Sequence, residues 1–201
     1  HHPILNQEGT RMYTVVGTTK TRTARVLWML EEIGVAYTHE PIPPHGSRVA
    51  ELNPSGKVPV LIVDDTAISD SVAIMTFLAD RHGDLTYPAG TIERAKQDSL
   101  TQMINDELDA VLWTAARHSF VLPPDRRVPE IKDSLKWEWD RNLSRLSDLL
   151  GDKPFLMGDK MTIADILCTQ CLGWAISAKF PVTPQNLRDY FDRMRARPAW
   201  A

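Results

Sequence analysis

The chain is poor in cysteine and has no strong excess of either charge. Of its 201 residues only Cys168 and Cys171 are cysteines, so no disulfide framework can hold the fold together. Lysine and arginine total 23 against 26 aspartates and glutamates, and the net charge of −3 argues against nucleic acid as the main partner. No apolar run reaches the ~20 residues of a membrane span, and no signal segment is recognisable. We therefore expect a cytoplasmic protein with no membrane partner.

The order of the predicted elements divides the chain into two domains. Residues 1–11 have the character of an expression-tag remnant. Residues 12–81 predict a strand at residues 12–16, a helix that ends at Gly34 and a strand at residues 35–42, followed by two strands and a helix. This βαβ-ββα order is thioredoxin-like. Residues 82–90 are polar and contain a proline, so they are the expected linker. Residues 91–201 carry helical patterns. The predicted fold class is α/β plus all-α, with a thioredoxin-like N-terminal domain and an all-helical C-terminal domain.

Two features of the first domain suit a small peptide ligand. Pro59 is the expected first residue of a short β-branched strand, with Val58 at its open end, because a proline removes a ladder donor. The bond before Pro59 can also be cis. The backbone groups of Val58 could then pair with an extended peptide as if it were another strand. Asp70 and Ser71 precede a helix, and the free N–H groups at a helix N-terminus favour a carboxylate. Each feature alone could be structural, but together they predict a site for a small zwitterionic peptide.

The same stretch resembles the glutathione-binding half of the glutathione S-transferase superfamily. The resemblance rests on Asn-Pro-Ser-Gly-Lys-Val-Pro-Val-Leu at residues 53–61 and on Asp-Ser-Val-Ala-Ile at residues 70–74. It implies glutathione as co-substrate, no metal, and a binding set of Lys57, Val58, Pro59, Asp70, Ser71 and His45. Many members have Glu or Gln where this chain has Asp70, whose shorter side chain keeps the carboxylate. For His45 the alternative is a solvated loop histidine.

In the thioredoxin-like order the loop after the first strand lies beside the proline end of the third strand, so it is expected to face the bound thiol. It contains Thr19 and Thr21, and neither tyrosine nor cysteine occurs between Gly17 and Arg25. Residues 21–28, Thr-Arg-Thr-Ala-Arg-Val-Leu-Trp, resemble the bacterial Ser/Thr-type transferases, in which the hydroxyl residue four before the arginine corresponds to Thr21. The resemblance makes Thr21 the first candidate for catalysis and Thr19 the second. A threonine at this position is also a good helix N-cap, and the two roles are compatible.

The second domain contributes folding residues and candidates for a second-substrate pocket. Thr162 to Asp165 predicts a variant capping box, which makes Asp165 a folding residue. Cys168 and Cys171 follow inside an apolar helix, which favours buried thiols over a redox pair. Trp113 and His118 lie late on the first long helix, where members of the superfamily line the second-substrate pocket, although Trp113 is also a candidate for the core.

The resemblance implies a glutathione S-transferase that activates the thiol of glutathione for attack on a hydrophobic electrophile. It further implies a cytoplasmic homodimer with a role in detoxification. A non-catalytic glutathione- or ligand-binding protein of the same fold is one alternative, and a glutathione-dependent lyase or isomerase is another. The sequence does not separate them, because the second-substrate pocket is built from apolar residues whose pattern is not readable.

Overall fold

The computed structural model describes residues 12–200, so the predicted tag remnant at residues 1–11 lies outside the described residues. The described chain forms two compact units. One contains the residues up to Thr86 together with residues 197–200, and the other runs from Tyr87 to Ala196. The assignment of residues 197–200 to the first unit differs from the predicted domain of residues 91–201.

The first unit is a four-stranded mixed sheet with three helices. Its elements are β1 Tyr13–Val16, α1 Thr23–Ile33, β2 Thr38–Glu40, α2 Ser47–Leu52, β3 Val60–Val63, β4 Thr66–Ser69 and α3 Ser71–His82. The strands lie in the order β2-β1-β3-β4, with β1 parallel to β2 and antiparallel to β3, and with β3 antiparallel to β4. This confirms the predicted thioredoxin-like order.

Strand register places the end of β1 beside the beginning of β3, because Val16 pairs with Val60. The loop after β1 therefore lies near Pro59, as the sequence predicts. Strand β3 begins at Val60, one residue after the predicted start at Pro59, since a proline cannot donate to the ladder. Strand β2 is also shorter than the predicted residues 35–42, because the Val35 N–H donates back to the end of α1, to the Leu30 carbonyl at 3.1 Å.

Helix α1 ends as its sequence predicts, and α2 is an element that the sequence analysis missed. Gly34 takes the left-handed conformation at φ 72°, and its N–H donates to the Leu30 carbonyl at 3.0 Å. Helix α2 has only six residues, too few to show a helical period. Its buried Val49 packs in one cluster with Val16, Val58 and Val60, so α2 supports the chain on both sides of Pro59.

Residues 197–200 pack against α1 through one ion pair and one ring contact. The Arg197 guanidinium donates from Nε to Glu32 Oε1 at 2.9 Å and also from Nη2 to the same oxygen. The second carboxylate oxygen of Glu32 accepts from the Trp28 indole at 3.1 Å. Trp200 then meets Trp28 edge to face, with ring centroids 4.9 Å apart. These contacts attach the C-terminal segment to the first unit.

The second unit is a helical bundle, as the sequence predicts. Its first helix is continuous but contains two π-helical segments: α4 Ile92–Ile104, a π segment Asn105–Asp109, α5 Ala110–Ala116 and a π segment Arg117–Val121. A short 3-10 helix follows at Pro124–Arg126, and the remaining α-helices are α6 Ile131–Leu150, α7 Ile163–Ser177 and α8 Gln185–Arg195. Helix α7 contacts α4, α5 and α8, and most of its side chains are buried. Within residues 12–200, no helix has both the length and the apolar character that a membrane span requires.

The beginning of α7 is fixed by a buried carboxylate. The predicted capping box is present: Thr162 Oγ1 accepts from the Ala164 N–H at 3.3 Å, and Asp165 Oδ2 accepts from the Thr162 N–H at 2.9 Å. Asp165 Oδ1 accepts from the Leu156 N–H at 3.0 Å and from the Tyr190 hydroxyl at 2.7 Å. Burial, reinforced by the Asp165 charge, raises the pKa of Tyr190 well above its usual range, so Tyr190 remains a donor.

Replacing Asp165 by Asn should lower the free energy of unfolding by about 2 to 4 kcal/mol, because the new amide group would face a buried donor instead of accepting from it. Urea titration followed by circular dichroism measures this loss. Asp189→Asn is the matched control at an exposed carboxylate and should stay within about 0.5 kcal/mol of the parent. An Asp165→Asn protein as stable as that control would contradict the capping role.

Candidate functional site

The loop between β1 and α1 is built around Gly17. Its N–H donates to the Glu40 carbonyl at 2.9 Å, and its carbonyl is 2.7 Å from His39 Nε2. Gly17 has φ 140°, and a Cβ added to it would lie 2.0 Å from Thr23 Oγ1 and 3.0 Å from the Val58 Cβ. A side chain therefore does not fit here, and its absence brings the start of the loop against both Val58 and the first residue of α1.

The structure places the two candidate threonines in different surroundings. Thr19 is exposed, and its hydroxyl has no hydrogen-bond partner within the described chain. Thr21 is half-buried two residues before the start of α1, with its Oγ1 2.7 Å from the Thr18 carbonyl and 2.8 Å from Thr23 Oγ1. The helix N-cap is Arg22, without a side-chain cap bond, whereas Thr21 Oγ1 accepts from the Thr23 N–H at 3.2 Å. Thr21 thus satisfies a backbone donor at the helix start, as the capping interpretation predicts, but from one residue earlier.

The bond between Val58 and Pro59 is cis, a geometry that the sequence analysis named as accessible. Over residues 12–200, neither backbone polar group of Val58 takes part in a hydrogen bond. Lys57 is exposed just before it, and its carbonyl accepts from the Asn53 side chain at 3.1 Å. His45 lies beside the same turn, where its N–H donates to the Gly56 carbonyl at 2.8 Å. The structure thus brings Lys57, Val58 and His45 to one region.

Asp70 and Ser71 form the N-terminus of α3. Asp70 has φ 81° and ψ 120°, a conformation that non-glycine residues rarely adopt, and its Oδ2 accepts from the Ala73 N–H at 2.9 Å. Its other carboxylate oxygen, Oδ1, has no partner among residues 12–200. Ser71 is 4% exposed, and its Oγ accepts from Arg25 Nη1 at 3.1 Å. The Ser71 hydroxyl therefore retains its own proton for donation.

Arg25 is the residue at this site whose role the sequence analysis missed. It is only 1% exposed, although arginine is rarely buried without a partner. A signal was present, since Arg25 precedes the buried Met29 by one helical turn and so occupies the core face of α1. An arginine on that face predicts a buried polar partner. Its contact with Ser71 joins the beginning of α3 to α1.

Trp113 and His118 lie in the helical unit. Trp113 is half-buried on α5, in keeping with a part-core position. His118 lies in the second π segment, where its Nδ1 accepts from the Val128 N–H at 2.9 Å and thereby helps to close the following loop. Within residues 12–200, no group of three or more histidine, cysteine or acidic side chains is arranged to hold a metal ion.

Both cysteines are buried inside α7 and neither forms a disulfide, in agreement with their predicted burial. Burial raises the pKa of the Cys168 thiol well above its usual range, and the nearby Cys171 and Asp165 add to the effect. A thiol in this environment is a poor nucleophile. The geometry therefore favours packing over redox chemistry for this pair.

Comparison with known proteins identifies the family. The glutathione S-transferase N-terminal domain profile matches residues 22–81, and the C-terminal domain profile matches residues 110–198. GstA, a glutathione S-transferase of Escherichia coli O157:H7, is 30% identical over 158 residues, which are 77% of this chain and 75% of that protein. The chain belongs to the glutathione S-transferase superfamily, and this membership and the fold support glutathione transferase function.

Solved structures of the family share the fold over most of the chain. A glutathione transferase from Methylococcus capsulatus has a TM-score of 0.81 at 25% identity, covering 94% of this chain and 95% of that one. A theta class glutathione S-transferase from Xanthomonas axonopodis pv. citri, solved with glutathione bound, has a TM-score of 0.75 at 26% identity, covering 94% of this chain and 95% of that one. A relative with a different name, probable elongation factor 1-gamma 2 of Arabidopsis thaliana, is 30% identical over 155 residues, or 74% of this chain and 37% of that protein.

Alkylation of the native protein by iodoacetamide at pH 8 should be slow and should leave glutathione-dependent activity unchanged. The reason is that burial and the raised pKa of Cys168 keep its thiol protonated at that pH. Mass spectrometry follows the labelling. The same reagent in urea is the control and should modify both cysteines rapidly. Rapid labelling of the native protein with a parallel loss of turnover would instead assign a reactive role to Cys168 or Cys171.

Proposed function

We propose that the protein is a glutathione transferase of the Ser/Thr type, in which Thr21 stabilises the thiolate of bound glutathione for attack on a hydrophobic electrophile. The observation that carries the proposal is the half-buried Thr21 hydroxyl at the start of α1, in a loop whose Gly17 packs against Val58. We also adopt the homodimer, the cytoplasmic location and the role in detoxification as parts of this proposal.

The groups of the first unit fit the parts of a glutathione molecule. The unpaired N–H and C=O of Val58 suit the peptide backbone of an extended ligand. The N-terminus of α3 suits a carboxylate. Ser71 can donate a hydrogen bond to that carboxylate, because its oxygen accepts from Arg25 and its own proton is not used in that contact. The Asp70 oxygen Oδ1, which has no partner among residues 12–200, suits the amino group that lies beside this carboxylate in glutathione. Lys57 and His45, next to Val58, are assigned to the other end of the tripeptide.

The chemistry required of Thr21 is modest. A thiol with a pKa of about 8.5 is only a few per cent thiolate at neutral pH. Lowering this pKa by one unit corresponds to about 1.4 kcal/mol. A hydroxyl that donates to the sulfur contributes on the order of 1 to 2 kcal/mol, and the helix dipole contributes some tenths more. Thr21 would exchange its bond to the Thr18 carbonyl for a bond to the thiolate. We assign Trp113 and His118 to the pocket that binds the electrophile.

A second candidate function is glutathione or ligand binding without catalysis. It is favoured by the relative named as an elongation factor subunit, whose likeness extends over most of this chain. The two functions share the binding groups at Val58 and Ser71 but differ in what Thr21 does. Titration of the bound thiol therefore separates them.

Glutathione should bind the parent protein in the micromolar to millimolar range, and Ser71→Ala should weaken binding by about 1.5 to 3 kcal/mol, because a carboxylate loses a hydrogen bond. That is roughly a ten- to hundredfold increase in the dissociation constant, measurable by calorimetry. Ser69→Ala, at an exposed serine two residues earlier, is the matched control and should bind like the parent. Circular dichroism checks that each variant is folded. Absence of binding by the parent would refute the proposed function.

The threonine assignment can be tested by titrating the bound thiol. Thr21→Val, which keeps the shape and removes the hydroxyl, should raise the pH midpoint of thiolate absorbance in the glutathione complex by about one unit. Thr19→Val should leave the midpoint unchanged, because the Thr19 hydroxyl is exposed and unattached. A shift in Thr19→Val alone would transfer the catalytic assignment to Thr19. No shift in either variant would favour the binding protein.

A further inference from the structure

Thr23, the first residue of α1, contacts the hydroxyl of Thr21. Its side chain is fully buried, so it is not itself positioned to meet a ligand. Its hydroxyl oxygen lies 2.8 Å from Thr21 Oγ1, and its backbone N–H donates to the same atom at 3.2 Å. Two groups of one buried residue therefore converge on the oxygen of the candidate catalytic hydroxyl.

The direction of the contact between the two hydroxyls follows from counting protons. Each threonine hydroxyl has one proton and two lone pairs. The Thr21 proton has the Thr18 carbonyl as an acceptor at 2.7 Å. The Thr23 hydroxyl has no partner but Thr21 Oγ1 anywhere in the described chain, and burial removes water as an alternative. Both protons are satisfied only if Thr23 donates to Thr21 and Thr21 donates onward.

The Thr23 hydroxyl lies directly against Gly17. The hydroxyl oxygen occupies the space of the missing Gly17 side chain, since a Cβ there would lie 2.0 Å from it. Gly17 is itself held by the His39 ring and by the Glu40 carbonyl. The first residue of the loop and the first residue of the helix are therefore in close contact, and Thr21 lies between them in sequence.

We propose that Thr23 is a positioning residue that fixes the Thr21 hydroxyl as a hydrogen-bond donor toward the sulfur of glutathione. This inference rests on the proposed function of Thr21. Two donations from Thr23 fill both lone pairs of Thr21 Oγ1, so that this oxygen cannot accept a hydrogen bond from a neutral thiol. Its only remaining interaction is donation, which a thiolate accepts far better than a thiol does.

The consequence is a bias of the bound thiol toward its ionised form. The S–H bond breaks, its electron pair stays on sulfur, and the proton leaves to solvent. Thr21 gives its hydrogen bond to the resulting thiolate without transferring its own proton. A chain of two hydroxyls that donate in the same direction is also stronger than two separate bonds, because each polarises the next. Loss of the Thr23 hydroxyl opens one lone pair on Thr21, which then accepts from a neutral thiol.

The test is a double-mutant cycle on the titration of thiolate absorbance in the glutathione complex. Thr23→Val should raise the pH midpoint by about half a unit, and Thr23→Ser, which keeps the hydroxyl, should match the parent. The double variant Thr21→Val/Thr23→Val should match Thr21→Val, because Thr23 acts only through Thr21. Glutathione affinity measured at high pH, where the thiol is ionised in all variants, should change little.

Other outcomes overturn the inference in distinguishable ways. A shift in Thr21→Val with none in Thr23→Val leaves the proposed function intact and refutes the role of Thr23. Equal shifts in Thr23→Val and Thr23→Ser, or additive shifts in the double variant, assign the effect to packing and refute it as well. No shift in Thr21→Val refutes both the catalytic assignment and the inference. Should Thr23→Val not fold, Thr23→Ala removes the hydroxyl without added bulk and gives the same comparison.

Discussion

The first unit depends on the absence of a side chain at Gly17. This residue lies at the end of β1, and the atoms that would crowd any larger residue belong to Thr23 and Val58. A strand end, a helix start and the proline turn meet there because nothing occupies the space between them. The close approach brings a polar helix terminus next to the backbone groups of Val58, which form no hydrogen bond within residues 12–200, and the proposed glutathione site lies where they meet.

Two buried polar side chains connect α1 to its neighbours at this site. The guanidinium of Arg25 connects α1 to the first residue of α3, and the hydroxyl of Thr23 connects α1 to the loop before it. Neither contact is exposed, so neither side chain is placed to recognise a ligand directly. Both act on a neighbouring hydroxyl, one at Ser71 and one at Thr21, and both leave that hydroxyl with a proton to give. The buried side chains of Arg25 and Thr23 thus orient the hydroxyls of Ser71 and Thr21.

Sequence patterns predict the architecture well because the relevant signals are local. The β-branched run before Asp64, the left-handed Gly34 and the capping box at Thr162 each follow from a few neighbouring residues, and the structure contains all three. The candidate site is less predictable from sequence, because its decisive contacts join residues far apart in the chain. Arg25 and Ser71 are 46 positions apart, and nothing in either local sequence names the other. Short elements such as α2 are missed for a related reason, since six residues show less than two helical turns.

The attachment of residues 197–200 to α1 has a consequence for how the protein folds during translation. Arg197 and Glu32 are 165 positions apart, and the whole helical unit is encoded between them. Domains generally fold in the order in which they emerge during translation. Here the sheet and its helices emerge before the helical unit, yet the partner of Glu32 and the ring that covers Trp28 emerge after it. The first unit can therefore acquire all of its contacts only once the helical unit has been synthesised.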